Sequence, residues 1–182
     1  MRGLSPPYST IVADPPWAYR AKVGAITTTA KRGETRPDRQ YSRLTSSDVA
    51  ALNVGDLAAA NAHLYLWTTN PILPEAFAVM DAWGFTYVTM LTWLKTGTLG
   101  MGYYFRGDTE HVLFGVRGKL PIHPANRRRN WFEAMKHRHS VKPAAFFDLV
   151  EFVSPGPYVE LFARQPRLGW DSWGFGFEET DQ

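Results

Sequence analysis

Short β-branched or apolar runs, each closed by a turn signal, recur along this sequence and predict strands. The run Ser9-Thr10-Ile11-Val12-Ala13 predicts a buried strand that ends abruptly at Asp14-Pro15-Pro16. Further strands are predicted over residues 63–69, 87–94, 111–116 and 158–163. The loop that carries Asp14 therefore follows the first predicted strand.

Helical spacing appears between these runs. Apolar groups recur from Leu73 to Trp83 and Gly84 follows them, which predicts a helix with a glycine stop. A second helix is predicted over 143–153, with proline in its first turn, and Thr45 predicts the capping-box start of a short helix through about Ala51. Strands that alternate with helices indicate an α/β fold with a mostly parallel sheet and helices on both faces.

Ligands of such sheets bind beyond the carboxyl ends of the strands, where Asp14 and Arg164 both fall. The chain has 182 residues, of which 45% are hydrophobic, so we expect one domain over 1–182. No apolar run approaches the roughly 18 to 20 residues that cross a bilayer, and we expect a cytoplasmic protein without membrane contact.

Cysteine is absent, which excludes disulfides, thiolate metal sites and cysteine nucleophiles. His111 and His139 could suggest a metal, but no paired carboxylate completes a site, so no metal is expected. The formal net charge is +3, and two basic clusters carry much of the positive charge. The clusters comprise Arg20, Lys22, Lys31, Arg32, Arg36 and Arg39, then Arg127, Arg128, Arg129, Lys136 and Arg138.

The tetrapeptide Asp14-Pro15-Pro16-Trp17 carries the most specific chemistry, although a turn that merely ends a strand is the alternative. An adenine amino nitrogen is a poor nucleophile because its lone pair is delocalised into the ring. A carboxylate and a main-chain carbonyl that each accept an amino hydrogen would direct that lone pair at a methyl donor, and Asp14 and the Pro15 carbonyl suit these roles. Prolines hold the carbonyl in place, and Trp17 offers a face for stacking an extruded base.

These blocks together resemble the DPPW adenine-N6 methyltransferases, a family that includes the catalytic subunit of the eukaryotic messenger-RNA adenosine methyltransferase and many small bacterial and phage enzymes. The resemblance covers nearly the whole chain. It rests on residues 11–17, Tyr41, Leu44-Thr45, 64–70, 83–85, 93–95, Glu110-His111, 115–118, 139–143 and 160–164.

The resemblance implies a Rossmann-like fold in permuted order, with the catalytic strand first and the strand that binds S-adenosylmethionine near the C-terminus. Ser140 and Lys142 would hold the methionine end of that cofactor, while Glu160, Phe162 and Arg164 would line its nucleoside portion. The sequence departs from the family where Phe175 follows Trp173-Gly174 in place of asparagine, and where 165–167 lack a polar pair.

We expect a site-specific N6-methyltransferase for adenine in nucleic acid, and DNA rather than RNA, because the chain is small and lacks an evident accessory domain. RNA methylation, methylation of another planar amine such as cytosine N4 or glutamine, and a non-catalytic nucleic-acid-binding relative remain alternatives. A homodimer or a partner subunit is possible. Substrate contacts are expected from two loops and the second basic stretch, through Tyr19, Arg32, Arg36, Arg39, Lys95, Tyr103 and Arg128.

Overall fold

Seven strands form one sheet in the order β5-β3-β4-β2-β1-β6-β7 in the computed structural model, which describes residues 1, 3–18, 43–97, 100, 104–135 and 142–174. The strands are β1 (Tyr8–Ala13), β2 (Ala58–Thr68), β3 (Thr86–Thr96), β4 (Thr109–Arg117), β5 (Trp131–Met135), β6 (Tyr158–Leu161) and β7 (Trp170–Trp173). The helices are α1 (Ser46–Ala50), α2 (Leu73–Ala82) and α3 (Ala144–Val153), and short 3-10 turns cover Val54–Leu57, Asn70–Ile72 and Pro124–Asn126.

Most neighbouring strands run in the same direction. The pairs β1–β2, β1–β6, β3–β5 and β6–β7 are parallel, whereas β4 is antiparallel to both β2 and β3. The carboxyl ends of the six parallel strands and the amino end of β4 therefore lie along one edge, called here the carboxyl edge. The opposite side is the amino edge. This confirms the mostly parallel α/β sheet predicted from the sequence.

Alternate side chains of the central strands pack into two cores, one on each face of the sheet. On one face, Ile11 and Leu64 pack with buried residues of α1 and α2, including Val49 and Met80. On the other face, the core consists of Val12, Tyr65 and Trp67 with Phe146 and Val150 of α3. The structure thus confirms helices on both faces, and the predicted helices lie close to their expected bounds.

The capping box predicted at Thr45 is present. The Asp48 backbone N–H donates to the Thr45 hydroxyl at 3.1 Å, and the Thr45 backbone N–H donates to the Asp48 carboxylate at 2.9 Å. These two bonds satisfy orphan donors at the start of α1.

A buried polar network joins β2 to the end of α3. His63 Nε2 lies 2.7 Å from the Leu120 carbonyl oxygen, which can only accept, so this nitrogen carries the proton. His63 Nδ1 then accepts from the Ser154 hydroxyl at 2.7 Å, and the Tyr65 hydroxyl donates to Ser154 Oγ at 2.7 Å. Burial lowers the pKa of His63 and opposes its protonation, although the Leu120 carbonyl favours it.

The strands β5 and β7 were not predicted from the sequence. Both are short and lie at the two ends of the sheet, so each pairs with one neighbour only. The side chains of β5 alternate between exposed and half-buried, and β7 is tied to β1 by a hydrogen bond from the Tyr8 hydroxyl to Asp171. Their existence depends on pairing with β3 and β6, which a local pattern does not encode.

No helix among the residues described is long and apolar enough to cross a membrane.

Candidate active site

The loop after β1 is held in a fixed shape at the carboxyl edge. The Trp17 backbone N–H donates to the Pro15 carbonyl at 2.8 Å and leaves one lone pair of that oxygen. A parallel bridge connects Trp17 to Leu44, with the Leu44 N–H donating to the Pro16 carbonyl at 3.0 Å and the Ala18 N–H to the Leu44 carbonyl at 2.8 Å. Two prolines and three backbone bonds thus orient Asp14 and the Pro15 carbonyl.

The structure corrects the role expected for Trp17. Its side chain is only 6% exposed and packs in the core beneath the loop. Its indole N–H donates to the Trp67 carbonyl at 3.0 Å. Because little of the ring is accessible, the stacking face expected from the sequence is not available, and Trp17 instead anchors the loop that carries Asp14.

Two carboxylates and two ammonium groups form a chain of ion pairs that begins at Asp14. The Lys142 Nζ lies 3.1 Å from Asp14 Oδ1 and 2.9 Å from Glu110 Oε2. The Lys95 Nζ lies 2.7 Å from Glu110 Oε1. Lys142 also sits over the Trp67 ring, 4.1 Å from its centroid, an arrangement that stabilises a cation. The four groups come from the loop after β1, from β3, from β4 and from the segment before α3.

Charge pairing outweighs burial within this chain. Burial opposes the charge on Lys142, but the carboxylates of Asp14 and Glu110 hold the pKa of Lys142 above its usual value. Burial likewise opposes ionisation of Glu110, but Lys142 and Lys95 hold the pKa of Glu110 below its usual value. Lys142 is therefore a cation and Glu110 an anion at neutral pH, and the carboxylate of Asp14 has a fixed positive neighbour.

Sequence reasoning did not identify Glu110 as a site residue. It directly precedes a strand predicted over 111–116, and parallel topology would place that end of the strand at the amino edge. Because β4 is antiparallel, its amino end lies at the carboxyl edge instead. The adjacent Glu110-His111 pair was the available signal in the sequence. Only the direction of β4 shows that this pair lies at the carboxyl edge.

A cleft of about 150 Å³ opens beside Asp14 at the carboxyl ends of β1 and β6. Its lining combines charged groups with aromatic rings and consists of Asp14, Lys142, Phe147, Glu160, Phe162, Arg164, Gln165 and Arg167. Burial, with a smaller contribution from the charge of Asp14, raises the pKa of Glu160 to about 7, although Arg167 and Lys142 oppose the shift. A half-buried carboxylate able to accept from hydroxyls, next to an aromatic ring, fits the nucleoside of S-adenosylmethionine.

Two backbone features shape this cleft. Phe162, directly after β6, has a φ of 63°, a conformation that L side chains rarely adopt and that often marks ligand sites. Gly174 lies so close to the backbone of Ala163 that a Cβ atom would collide with its carbonyl oxygen. The Ala163 N–H donates to the Trp173 carbonyl at 3.0 Å, so the segments after β6 and β7 run side by side.

The structure brings together several of the residues predicted from the sequence. Asp14, Lys142, Glu160, Phe162 and Arg164 line one cleft, and Lys95 is linked to it through Glu110. Of the other predicted residues, Tyr19, Arg32, Arg36, Arg39, Tyr103 and Ser140 lie outside the described residues. Across the described ranges, no group of three or more His, Cys, Asp or Glu residues could hold a metal ion.

Arg128 does not line this cleft, and its expected contact with substrate stays a prediction. It precedes the amino end of β5, and its guanidinium stacks 3.9 Å from the centroid of the Phe152 ring in the last turn of α3. It also donates to the carbonyls of Ala125 and Arg127 at 3.2 and 2.9 Å. The start of α3 is at the carboxyl edge and its end is at the amino edge, so Arg128 is held on the side away from Asp14.

An open sheet covered by helices on both faces, with Asp-Pro-Pro-Trp after a central strand and a polar cleft beside it, defines a Rossmann-like methyltransferase. The MT-A70 family profile matches residues 8–176. The chain is 32% identical over 179 residues to the type II methyltransferase M.MunI of Mycoplasma sp, an alignment that covers 92% of this chain and 76% of that protein. The chain belongs to the MT-A70 family.

More distant relatives match over most of this chain but over a smaller part of their own length. The human N(6)-adenine-specific methyltransferase METTL4 is 27% identical over 187 residues, which cover 92% of this chain and 37% of that protein. The human N(6)-adenosine-methyltransferase catalytic subunit METTL3 is 25% identical over 165 residues, which cover 86% of this chain and 26% of that protein.

Proposed function

We propose that this chain methylates the N6 amino group of adenine in nucleic acid with S-adenosylmethionine as the methyl donor, and that the nucleic acid is DNA. The observation that carries the proposal is the position of Asp14. Its carboxylate lies at the end of a central strand, on a loop held by two prolines, and opens into the cleft shared with Glu160 and Phe162.

The target amino group is held by two acceptors. The Lys142 ion pair engages Asp14 Oδ1, so we assign Oδ2 to one amino hydrogen and the remaining lone pair of the Pro15 carbonyl to the other. Together they turn the nitrogen lone pair away from the ring plane. Because the loop is rigid before substrate arrives, the alignment costs little entropy when the base binds.

The cofactor binds in the cleft that Asp14 shares with Glu160 and Phe162. Glu160 accepts hydrogen bonds from hydroxyl groups, Phe162 packs against the nucleoside, and Lys142 with Ser140 binds the methionine end. S-adenosylmethionine, when bound, supplies an electrophilic methyl group. The ion pairs of Lys142 with Asp14 and Glu110 keep the carboxylate of Asp14 in position while positive charge passes from the donor sulfur to the amino nitrogen.

DNA is favoured over RNA because the type II methyltransferase relative matches over most of both chains, whereas the relatives named for adenosine are several times longer than this chain. RNA is the second candidate, because the relative METTL3 is named as an N(6)-adenosine-methyltransferase and adenosine is a ribonucleoside. The cytoplasmic location, the single domain and a homodimer or partner subunit stay predictions.

Incubation with labelled S-adenosylmethionine and separate pools of single-stranded DNA, duplex DNA and RNA, followed by nucleoside mass analysis, tests the proposal. We expect N6-methyladenine in a DNA pool, and about 100-fold less or lower with Asp14→Asn over the same initial period. Label in RNA alone would transfer the proposal to the second candidate. Label on cytosine or on protein would refute adenine as the target, and cofactor binding without transfer to any pool would refute the proposal for the chain acting alone.

A further inference from the structure

Two aromatic side chains at the carboxyl edge are almost fully exposed. Tyr104 is 96% and Phe105 is 90% exposed, the highest values among aromatic side chains in the described ranges. Arg106 follows them and is exposed as well. Nothing in the packing of the sheet requires large apolar groups at these positions, and such groups exposed together indicate a contact surface.

The segment that carries these residues is attached to the ion-pair chain of the active site. It enters β4 at Thr109, next to Glu110, which binds Lys142 and Lys95. The Lys95 N–H donates to the Asp108 carbonyl at 2.8 Å, and the Asp108 carboxylate accepts from the Gly100 N–H at 2.5 Å. The base of the segment is thus fixed within one residue of the groups that position Asp14.

The position of Asp14 determines what this surface would meet. Its side chain is only 20% exposed, so an adenine within a base stack cannot reach it and must leave the stack. The neighbouring bases then lose a stacking partner. Aromatic rings replace such partners with little dependence on sequence, because every base has a π-face. An arginine beside the rings adds attraction to the phosphates.

Building on the proposed function, we infer that Tyr104 and Phe105 stack on the bases that flank the extruded adenine, while Arg106 contacts the adjacent phosphate backbone. The ligand of this surface is therefore the nucleic-acid substrate outside the methylated base. The alternative occupant, a second protein chain, lacks support because the surface is continuous with the site of the reaction.

The double variant Tyr104→Ala/Phe105→Ala tests the inference in the full-length protein. We expect the KM for plasmid DNA, and the Kd for it measured without cofactor, to rise about 25-fold or more, because each of the two lost stacks weakens binding about fivefold at least. The Kd for S-adenosylmethionine should not change. The conservative pair Tyr104→Phe/Phe105→Tyr should restore both DNA constants.

Matched controls come from the amino edge. Phe152→Ala removes a phenylalanine that is 45% exposed, and Arg129→Ala removes an arginine beside the exposed ring of Trp131. Neither should alter the KM for DNA, whereas Arg106→Ala should raise it and flatten its salt dependence. Equal effects at both edges would mean that general charge and hydrophobicity, rather than this surface, bind DNA, and would overturn the inference.

Base extrusion gives a second readout. In a duplex oligonucleotide with 2-aminopurine at the adenine that the wild type methylates, the wild type should raise fluorescence and the double alanine variant should not. An unchanged KM and Kd for DNA, together with unchanged fluorescence, in that variant would overturn the inference. A changed sedimentation coefficient with the KM and Kd for DNA unchanged would also overturn it, because the surface would then bind a second protein chain. If the wild type methylates nothing, the proposed function fails, and the Kd for plasmid DNA still decides whether this surface binds nucleic acid.

Discussion

The Nζ of Lys142 lies 3.1 Å from Oδ1 of Asp14, and this ion pair connects the segment before α3 to the loop after β1. Lys142 was expected only as a ligand of the cofactor. In the structure it pairs with the carboxylate that is proposed to bind the substrate, so we propose that one cation serves both the cofactor and the substrate. A substitution that alters the substrate part of the site should therefore also alter cofactor binding, and the reverse.

Asp14→Asn should lower kcat by about 100-fold or more, because an amide accepts the amino hydrogen less well and no longer pairs with Lys142. The Tm should change little, since Asp14 is partly exposed and Lys142 retains Glu110. Single-turnover rates with purified protein and circular dichroism melts measure the two effects. Activity within tenfold of the wild type would contradict the assigned role.

Glu110→Gln should weaken the site without removing a group that touches the substrate. Lys95 loses its carboxylate and Lys142 keeps only Asp14, so the free energy of unfolding should fall by about 1–3 kcal/mol and kcat should fall with it. Urea unfolding and initial rates provide the measurement. Glu133→Gln, at an exposed position of β5, is the matched control and should behave as the wild type. Equal stability of the two variants would show that the ion-pair chain contributes nothing.

Glu160 should make the unliganded protein less stable as the pH rises. Its pKa is raised to about 7 in the fold, above the value of 4.5 for a free side chain, so its stabilising effect is complete below pH 4.5 and is lost as the pH passes through 7. Glu160→Gln removes this dependence. The variant should gain stability relative to the wild type between pH 5 and 8, as measured by urea unfolding at several pH values. A difference that does not vary with pH would contradict the shifted pKa.

His63 should make the protein less stable as the pH falls. Burial lowers its pKa from 6.5, so the neutral ring stabilises the fold above that pH, and this contribution is lost as the pH falls below it. His63→Gln should be about 1–3 kcal/mol less stable at pH 7.5, because Ser154 or Leu120 loses a partner. The difference in free energy of unfolding between the wild type and this variant should narrow towards pH 5, as measured by urea unfolding of both proteins at each pH. A difference that widens towards pH 5 would contradict the lowered pKa of His63.

Much of the candidate site could be predicted from residues near each other in the chain. A β-branched run closed by Asp14-Pro15-Pro16 encodes a strand followed by a rigid loop, and the capping box at Thr45 encodes a helix start. Together with the family resemblance, these local features led to Asp14, Lys142, Glu160, Phe162 and Arg164, which the structure places around one cleft.

The sequence by itself therefore determined the α/β pattern and the motif, because dihedral preferences, capping and side-chain periodicity act over a few residues. Only the tertiary structure decided the rest. The reversed direction of β4 brings Glu110 to the carboxyl edge, the packing of Trp17 removes it from the surface, and the path before β5 holds Arg128 on the opposite side. Each of these depends on which distant strand or helix a segment pairs with, and that choice is made by burial and hydrogen bonding across the whole fold.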